Sequence, residues 1–367
     1  MTRKKLRQGF TTGSAAAAGA KAALLYLAGQ RDLRQVDIPL PGGGRLIIPV
    51  EGIEKMDQGA KATIIKDAGD DPDVTHKARI RTTVRLLMDN KQGEVTIDGG
   101  KGVGRVTRPG LPVPIGEAAI NPVPRRQINE AVQEGLMESG LKGSVSVTIE
   151  VVNGEKIAEK TFNPRLGIIG GISILGTRGT VKPLSNKAYK DTITLSMDVA
   201  KAEKMDMVAL STGGKSEGFL KKHFPGIPDV AFIQVGDFFS FSLKQADKRG
   251  FGDILYACFF GKLIKMAQGD PYIHARKSQI DFDLLARWCA SLGMEKGKVY
   301  AVKKAHTARE VLDLIKGEDL TKRILHDMVK MAVSSARQFA GPSPNISYYL
   351  FDLEGSLLAS HEDRGNR

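Results

Sequence analysis

The stretch Asn163–Ser185 (N-P-R-L-G-I-I-G-G-I-S-I-L-G-T-R-G-T-V-K-P-L-S) limits the fold more than any other part of the chain. Gly167, Gly170, Gly171, Gly176 and Gly179 alternate there with Ile168, Ile169, Ile172, Ile174 and Leu175. The apolar residues call for burial. The glycines call for tight turns, or for a neighbour too close to leave room for a side chain. Such a segment is expected either as a plain buried hairpin or as a seam where two halves of the chain meet over a ligand.

A length of 367 residues favours two domains. The expected division is a strand-rich α+β domain over 1–165, the glycine-rich seam over 166–190 and an α/β domain over 191–367. A basic start, Met1–Lys5, leads into Leu6-Arg7-Gln8 instead of an apolar signal core. No apolar run is long enough to span a membrane. Cys258 and Cys289 are isolated and make neither a disulfide framework nor a zinc site, so a reducing cytoplasm is expected. The net charge of +13 points to an anionic partner. Lys and Arg are spread along the chain without a basic tail, and only 6% of residues are aromatic. An acidic small molecule therefore ranks above nucleic acid or a membrane. Self-association is left open.

Near the start, Thr11 or Thr12 caps an alanine-dense helix, Ala15–Ala28, closed by Gly29. Val36–Leu40 and Arg45–Val50 flank a Pro-Gly-Gly-Gly turn. Strand Thr63–Ile65 runs into Asp67, Asp70, Asp71 and Asp73. Such a set of like charges calls for compensation, by a ligand or otherwise. Gly99–Gly104 follows strand Glu94–Ile97, but Pro109, Pro112 and Pro114 exclude the helix that a dinucleotide loop must open. A helix over Arg126–Ser139 begins with two arginines at its unfavourable end. Ser144–Val152 and Lys156–Phe162 form a hairpin around Asn153-Gly154.

After the seam, strands Met207–Leu210, Val230–Val235, Val299–Ala301 and Ile346–Leu353 alternate with helices. This is the rhythm of an open, mostly parallel sheet with ligands at its carboxyl ends. Ala209–Ser216 (A-L-S-T-G-G-K-S) is close to a phosphate loop, and Asp352 at a later strand end could hold magnesium. A P-loop-like nucleotide-hydrolysing enzyme and a non-catalytic polyanion-binding protein are thus the alternatives to a binder of a nucleoside without a triphosphate. No His/Cys cluster has metal spacing, and no Gly-x-Ser-x-Gly elbow occurs.

Together, Leu6–Ala18 (L-R-Q-G-F-T-T-G-S-A-A-A-A), Asp67–His76 (D-A-G-D-D-P-D-V-T-H), Gly110–Arg125 (G-L-P-V-P-I-G-E-A-A-I-N-P-V-P-R) and Leu166–Gly179 resemble the CbiD family. Its members are the cobalt-precorrin-5B C(1)-methyltransferases of anaerobic cobalamin biosynthesis. Weaker likeness continues through Thr212–Glu217 and Gly261–Ala275. Ala15 stands where the family usually has cysteine, Arg178 and Lys182 replace the commoner Thr and Glu, and Lys77 stands at a position that is usually small. The resemblance implies a cytoplasmic enzyme that moves a methyl group from S-adenosylmethionine to ring carbon C-1 of an acidic cobalt-bearing tetrapyrrole. The implied product is cobalt-precorrin-6A, with no covalent intermediate and cobalt present only in the substrate. On that reading we expect Thr11, Thr12, Ser14, Arg125 and Arg126 at the substrate carboxylates. The cofactor residues would be Gly170, Gly171, Thr212, Gly213, Gly214, Gly236 and Asp237. Asp70 and Asp73 would steady the ring edge or the sulfonium, and His274 would manage a proton.

Overall fold

Residues 6–87, 91–316 and 320–366 are described by a computed structural model; the basic stretch Met1–Lys5 lies outside them. The chain divides into two units, residues 1–186 and 187–367.

In the first unit, strand β1 (Gly9–Phe10) leads into helix α1 (Thr12–Leu27). The Thr11 hydroxyl accepts from Ser14 N at 3.1 Å and caps the helix. Alanines 15–18, 20, 22 and 23 are fully buried. Their small side chains let α1 lie close against a sheet, and a Cβ at Gly19 would come within 2.7 Å of Thr82 Oγ1. Strands β2 (Gln35–Pro39) and β3 (Arg45–Pro49) form the expected hairpin. Next come β4 (Gly52–Met56), β5 (Gly59–Ile65), β6 (Arg79–Leu87) and β7 (Val95–Gly99). The short strands β8 (Gly102–Val103) and β9 (Arg105–Val106) precede helix α2 (Pro122–Ser139) and strand β10 (Ser144–Val151). The main sheet has the order β4-β5-β6-β10-β7, with only β10 and β7 parallel.

Helix α2 starts four residues earlier than the sequence implies. Pro122 and Pro124 fit its first turn, where no N–H has an intrahelical partner. The expected strand Lys156–Phe162 is absent. Asn153 turns into the left-handed region at φ 56°, and helix α3 (Gly154–Ala158) comes next. The partners of β10 are β6 and β7, so the Asn-Gly pair ends a strand without folding a hairpin.

The glycine-rich segment contributes β11 (Ile168–Ile169), β12 (Gly171–Ile172) and β13 (Thr180–Val181). These pair with β9, β8 and β1 respectively, all in the first unit, so the segment is not a plain hairpin. Ile168, Ile172 and Ile174 are buried, whereas Ile169 and Leu175 are half exposed.

The second unit opens with helix α4 (Asn186–Ala202), then strand β14 (Met207–Ser211), helix α5 (Gly214–His223) and strand β15 (Phe232–Gln234). Helix α6 (Phe239–Lys248), strand β16 (Asp253–Phe259) and helix α7 (Phe260–Ala267) continue it. Three helices come next: α8 (Phe282–Ser291), α9 (Lys296–Lys304) and α10 (Ala308–Ile315). The expected strand Val299–Ala301 lies inside α9, because a short apolar triplet fits either structure. Helix α11 (Thr321–Ala340) and strands β17 (Asn345–Phe351) and β18 (Leu357–Asp363) complete the chain. The sheet order is β15-β14-β16-β17-β18; all pairs are parallel except β17–β18. The direction of connection reverses between β14 and β16.

One ion network ties α1, α2 and the β2–β3 hairpin together. The buried Lys21 ammonium donates to Glu134 at 3.0 Å and Glu138 at 2.6 Å. Arg45 grips the same Glu134 through two bonds of 3.0 and 2.9 Å. The Arg45 hydrogen bond, helped by Lys21 and opposed by burial, lowers Glu134 to about 2 from the usual 4.5. A depressed carboxylate stabilises the fold above its unfolded value and loses that contribution as pH falls through the folded one. Glu134→Gln is therefore expected to lower the denaturation midpoint at pH 7. Its gap to wild type should close between pH 4.5 and 2 in urea titrations.

Candidate functional site

The four stretches that carry the family resemblance converge on the N-terminus of α1. Leu175 O accepts from Gly13 N at 3.3 Å, and the Thr12 hydroxyl accepts from Leu175 N at 2.9 Å. The Ser14 hydroxyl donates to Gly179 O at 2.7 Å and accepts from Gln127 Nε2 at 3.0 Å. Asn121 N donates to Ile174 O at 3.0 Å, Phe10 N donates to Asp67 O at 2.8 Å, and Gln8 bridges to Gly69. Thr11, Thr12 and Ser14 are buried, with every hydroxyl engaged inside the protein. Their role here is to hold the glycine-rich segment against the helix.

The loop carboxylates are also answered internally, which resolves the repulsion read from the sequence. Arg7 pairs with Asp67, holding it below the usual carboxylate range. Asp70 accepts from Arg7 N at 2.7 Å and Asp71 from Leu184 N at 2.8 Å. Asp73 accepts from the buried Lys66 at 2.6 Å and from the Thr75 hydroxyl at 2.7 Å. Burial opposes the Asp73 charge, but Lys66 and Thr75 outweigh it and keep the group below its ordinary value.

Arg125 is equally occupied. It donates to Ile120 O and Ile97 O, each at 3.0 Å, and to Glu117 at 3.1 Å. It pins the start of α2 to the sheet, which explains a cation at that helix end without an external anion. Arg126 and Arg178 are exposed and flank Gln127 and Gly179, which meet at Ser14, and the exposed Lys182 follows Val181, which pairs with Gly9. Gly171 is explained by packing, since a Cβ there would lie 2.2 Å from Gly102 O. Gly170 has open space and a φ of +81°.

In the second unit, the carboxyl ends of the parallel strands bring the remaining candidates together. Strand β14 ends at Ser211 and α5 begins at Gly214, so only Thr212 and Gly213 form the turn. A phosphate-enclosing loop needs more chain than this, because Ala209, Leu210 and Ser211 are still paired in the sheet. The P-loop alternative therefore fails. Asp352 fails as a magnesium ligand, since its Oδ1 accepts from the N–H groups of Glu354, Gly355 and Ser356 and closes the β17–β18 turn.

No side chain caps α5 at Gly213. A Cβ on Gly213 would meet nothing within 4 Å, and its φ of 170° is open to any residue. Next to it, the buried Ser211 hydroxyl has no hydrogen-bond partner among the described residues. Past the end of β15, Asp237 pairs with Lys262, which also donates to Ile273 O at 3.3 Å. Gly236 adopts a φ of +57° beside Tyr189. His274 stacks on Tyr272, with centroids 5.9 Å apart, and its Nδ1 accepts from Arg276 N at 3.1 Å. Lys265 is buried and donates to Ser278 O at 2.7 Å; burial, with Lys262 nearby, lowers its pKa. Lys262 and Tyr189 were not singled out from the sequence. Both emerge only once the strand order is known, although Gly261-Lys262 directly after an apolar run was the available sign.

Cys258 is fully buried, which pushes its thiol up to about 12; burial likewise raises Cys289 to about 11. Among the described residues, no group of three or more His, Cys, Asp or Glu could hold a metal ion, and no helix is long and apolar enough to cross a membrane.

A family model described as CbiD matches residues 1–183, and a second, the CbiD C-terminal domain, matches residues 272–362. A cobalt-precorrin-5B C(1)-methyltransferase of Nitratidesulfovibrio vulgaris is 46% identical over 364 residues, covering 98% of this chain and 93% of that protein. The chain belongs to the CbiD family. Family members of the same name from Priestia megaterium and Thermus thermophilus are 43% and 42% identical. Each match covers 99% of this chain, with 98% and 96% of the relative covered. A crystal structure of the cobalamin biosynthesis protein CbiD from Archaeoglobus fulgidus matches at 30% identity and a TM-score of 0.40, covering 70% of this chain and 78% of that one.

The two glycines of the Gly170-Gly171 turn are expected to behave differently. Gly171→Ala should cost roughly 3 kcal/mol or more, because backbone must move. Gly170→Ala should cost only about 1–2 kcal/mol, for its left-handed φ. Chemical denaturation of both variants checks the difference.

Proposed function

We propose that this chain transfers a methyl group from S-adenosylmethionine to C-1 of cobalt-precorrin-5B, giving cobalt-precorrin-6A in anaerobic cobalamin biosynthesis. What carries the reading is the full-length kinship to proteins named for that reaction, 46% identical across 98% of the chain. S-adenosylmethionine, when bound, supplies an electrophilic methyl on a sulfonium. The residues at the carboxyl edge of the second unit fit such a group. Gly213 is required neither by its φ nor by its neighbours, Ser211 offers an unmatched hydroxyl, and α5 presents an uncapped N-terminus that favours a carboxylate.

For the substrate, we assign its carboxylates to Arg126, Arg178 and Lys182, with Thr11, Thr12 and Ser14 fixing the backbone that carries them. Asp70, exposed on its loop, is the candidate for the ring edge, while Asp73 stabilises that loop through Lys66. His274 is half-buried and remains the proton-handling candidate. Methyl transfer between a carbon nucleophile and a sulfonium needs alignment and exclusion of water more than a protein base. The scarcity of uncommitted acid–base groups at these positions agrees with that demand.

Incubating the protein with S-adenosylmethionine and the cobalt-precorrin should add the mass of one methyl to the tetrapyrrole. No gain with authentic substrate would refute the assignment. Gly213→Ala should leave the melting temperature within about 1–2 °C of wild type, since it disturbs no protein contact. The same variant should raise the KM for the methyl donor about tenfold, as an added methyl occupies ligand space.

A further inference from the structure

The ion pair between Asp237 and Lys262 spans the carboxyl end of β14. Asp237 lies three residues beyond β15 on one side, and Lys262 lies in the first turn of α7 after β16 on the other. The pair therefore sits over the point where the sheet reverses direction, where parallel sheets place their ligands. We infer that Asp237 reads the ribose diol of the adenosyl donor and that Lys262 is the positioning residue that holds it there. This rests on the donor being the nucleoside proposed above.

The geometry supports this assignment in three ways. First, β14, α5 and β15 form a parallel strand–helix–strand unit with its glycine turn after the first strand and its carboxylate after the second. Asp237 follows Gly213 by 24 residues (237 − 213), near the spacing at which such units meet a ribose. Second, only Oδ1 of Asp237 is engaged by Lys262, and Oδ2 has no hydrogen-bond partner among the described residues, so one oxygen is left to accept from a hydroxyl. The Asp237 side chain is 23% exposed, partly desolvated but reachable.

Third, the surroundings are rigid and aromatic. Lys262 also holds Ile273 O, Ile273 N donates to Asp237 O at 3.1 Å, and Ser240 N donates to Pro271 O at 3.0 Å. The loop and the carboxylate are thereby fixed as one piece. Tyr189 packs on Phe238 with centroids 5.4 Å apart, and Phe238 packs on Tyr272 at 5.1 Å. This row begins at the half-buried Tyr189 beside Gly236, next to the carboxylate. Tyr189 gives a purine an aromatic edge to lie against, while His274 already stacks on Tyr272 at the far end of the row.

The test is calorimetry on the full chain with S-adenosylhomocysteine and its 2′-deoxyribose counterpart. Wild type should prefer the ribose form by about tenfold or more, the worth of one hydrogen bond to a charged group. Asp237→Asn and Lys262→Met should bring that preference near unity, while Lys262→Arg should keep most of it. Should Asp237→Asn not fold, the two Lys262 variants decide the question the same way. A wild-type protein that binds both forms equally, or a folded Lys262→Met that keeps the full preference, would make the pair a mere structural staple and overturn the inference. Wild type that binds neither form would instead refute the donor reading itself, and this inference with it.

Discussion

Three backbones approach one another in the first unit more closely than any side chain would permit. A Cβ on Gly102 would lie 2.0 Å from Val151 O, one on Gly154 would lie 2.1 Å from Gly102 O, and one on Gly171 would lie 2.2 Å from the same oxygen. Strand β10, helix α3 and strands β8 and β12 are locked together at this point. From it the glycine-rich segment runs on to Leu175 and Gly179, where it meets the hydroxyls at the head of α1. The arrangement of the first-unit site thus depends on a packing constraint, with the polar contacts filling in around it. Buried hydroxyls that look available in a one-dimensional motif are already committed to keeping that frame in place.

The second unit obeys a different logic. Its core is an ordinary parallel sheet between helices, with Ile254, Tyr256, Cys258, Ile346, Tyr348 and Leu350 fully buried. Regular packing leaves its carboxyl edge as the place where glycines, a lone hydroxyl and a bridged carboxylate are left over from the demands of folding. Gly213 and Gly171 illustrate the contrast. One has no steric reason to be glycine and the other has an unavoidable one.

Much of this was legible in the chain where local chemistry and tertiary demand agree. The alanine run with Thr11 before it and Gly29 after it could only be a close-packed helix. The alternation of strands and helices after Lys187 announced a parallel sheet. Strand β6 alternates Arg79, Arg81 and Arg85 with the buried Ile80, Thr82 and Val84, but its arginine and threonine content masks that period in the sequence. Strand β18 was missed because its sequence, L-L-A-S-H-E-D, is that of a polar sheet edge. Asn153-Gly154 misled because a turn signal does not fix whether a strand or a helix lies beyond the turn. At the site, the glycines and Asp237 were visible as punctuation after strands. The Asp67–Asp73 cluster was visible too, with Lys66 at its start, but the contributions of Arg7 and the Leu184 amide depend on chain brought in from elsewhere. The Lys262 partnership was invisible because 25 residues and a crossing of the sheet separate it from Asp237.

The state of the two cysteines has a bearing on the chemistry itself. A sulfonium methyl will alkylate any thiolate it can reach, and thiolates are the softest nucleophiles a protein carries. With Cys258 and Cys289 sealed in the core, where burial raises both thiols, and with alanine at position 15, the described chain presents no exposed thiol to a methyl donor. The fold thereby keeps its own thiols apart from the methyl group that a methyltransferase handles.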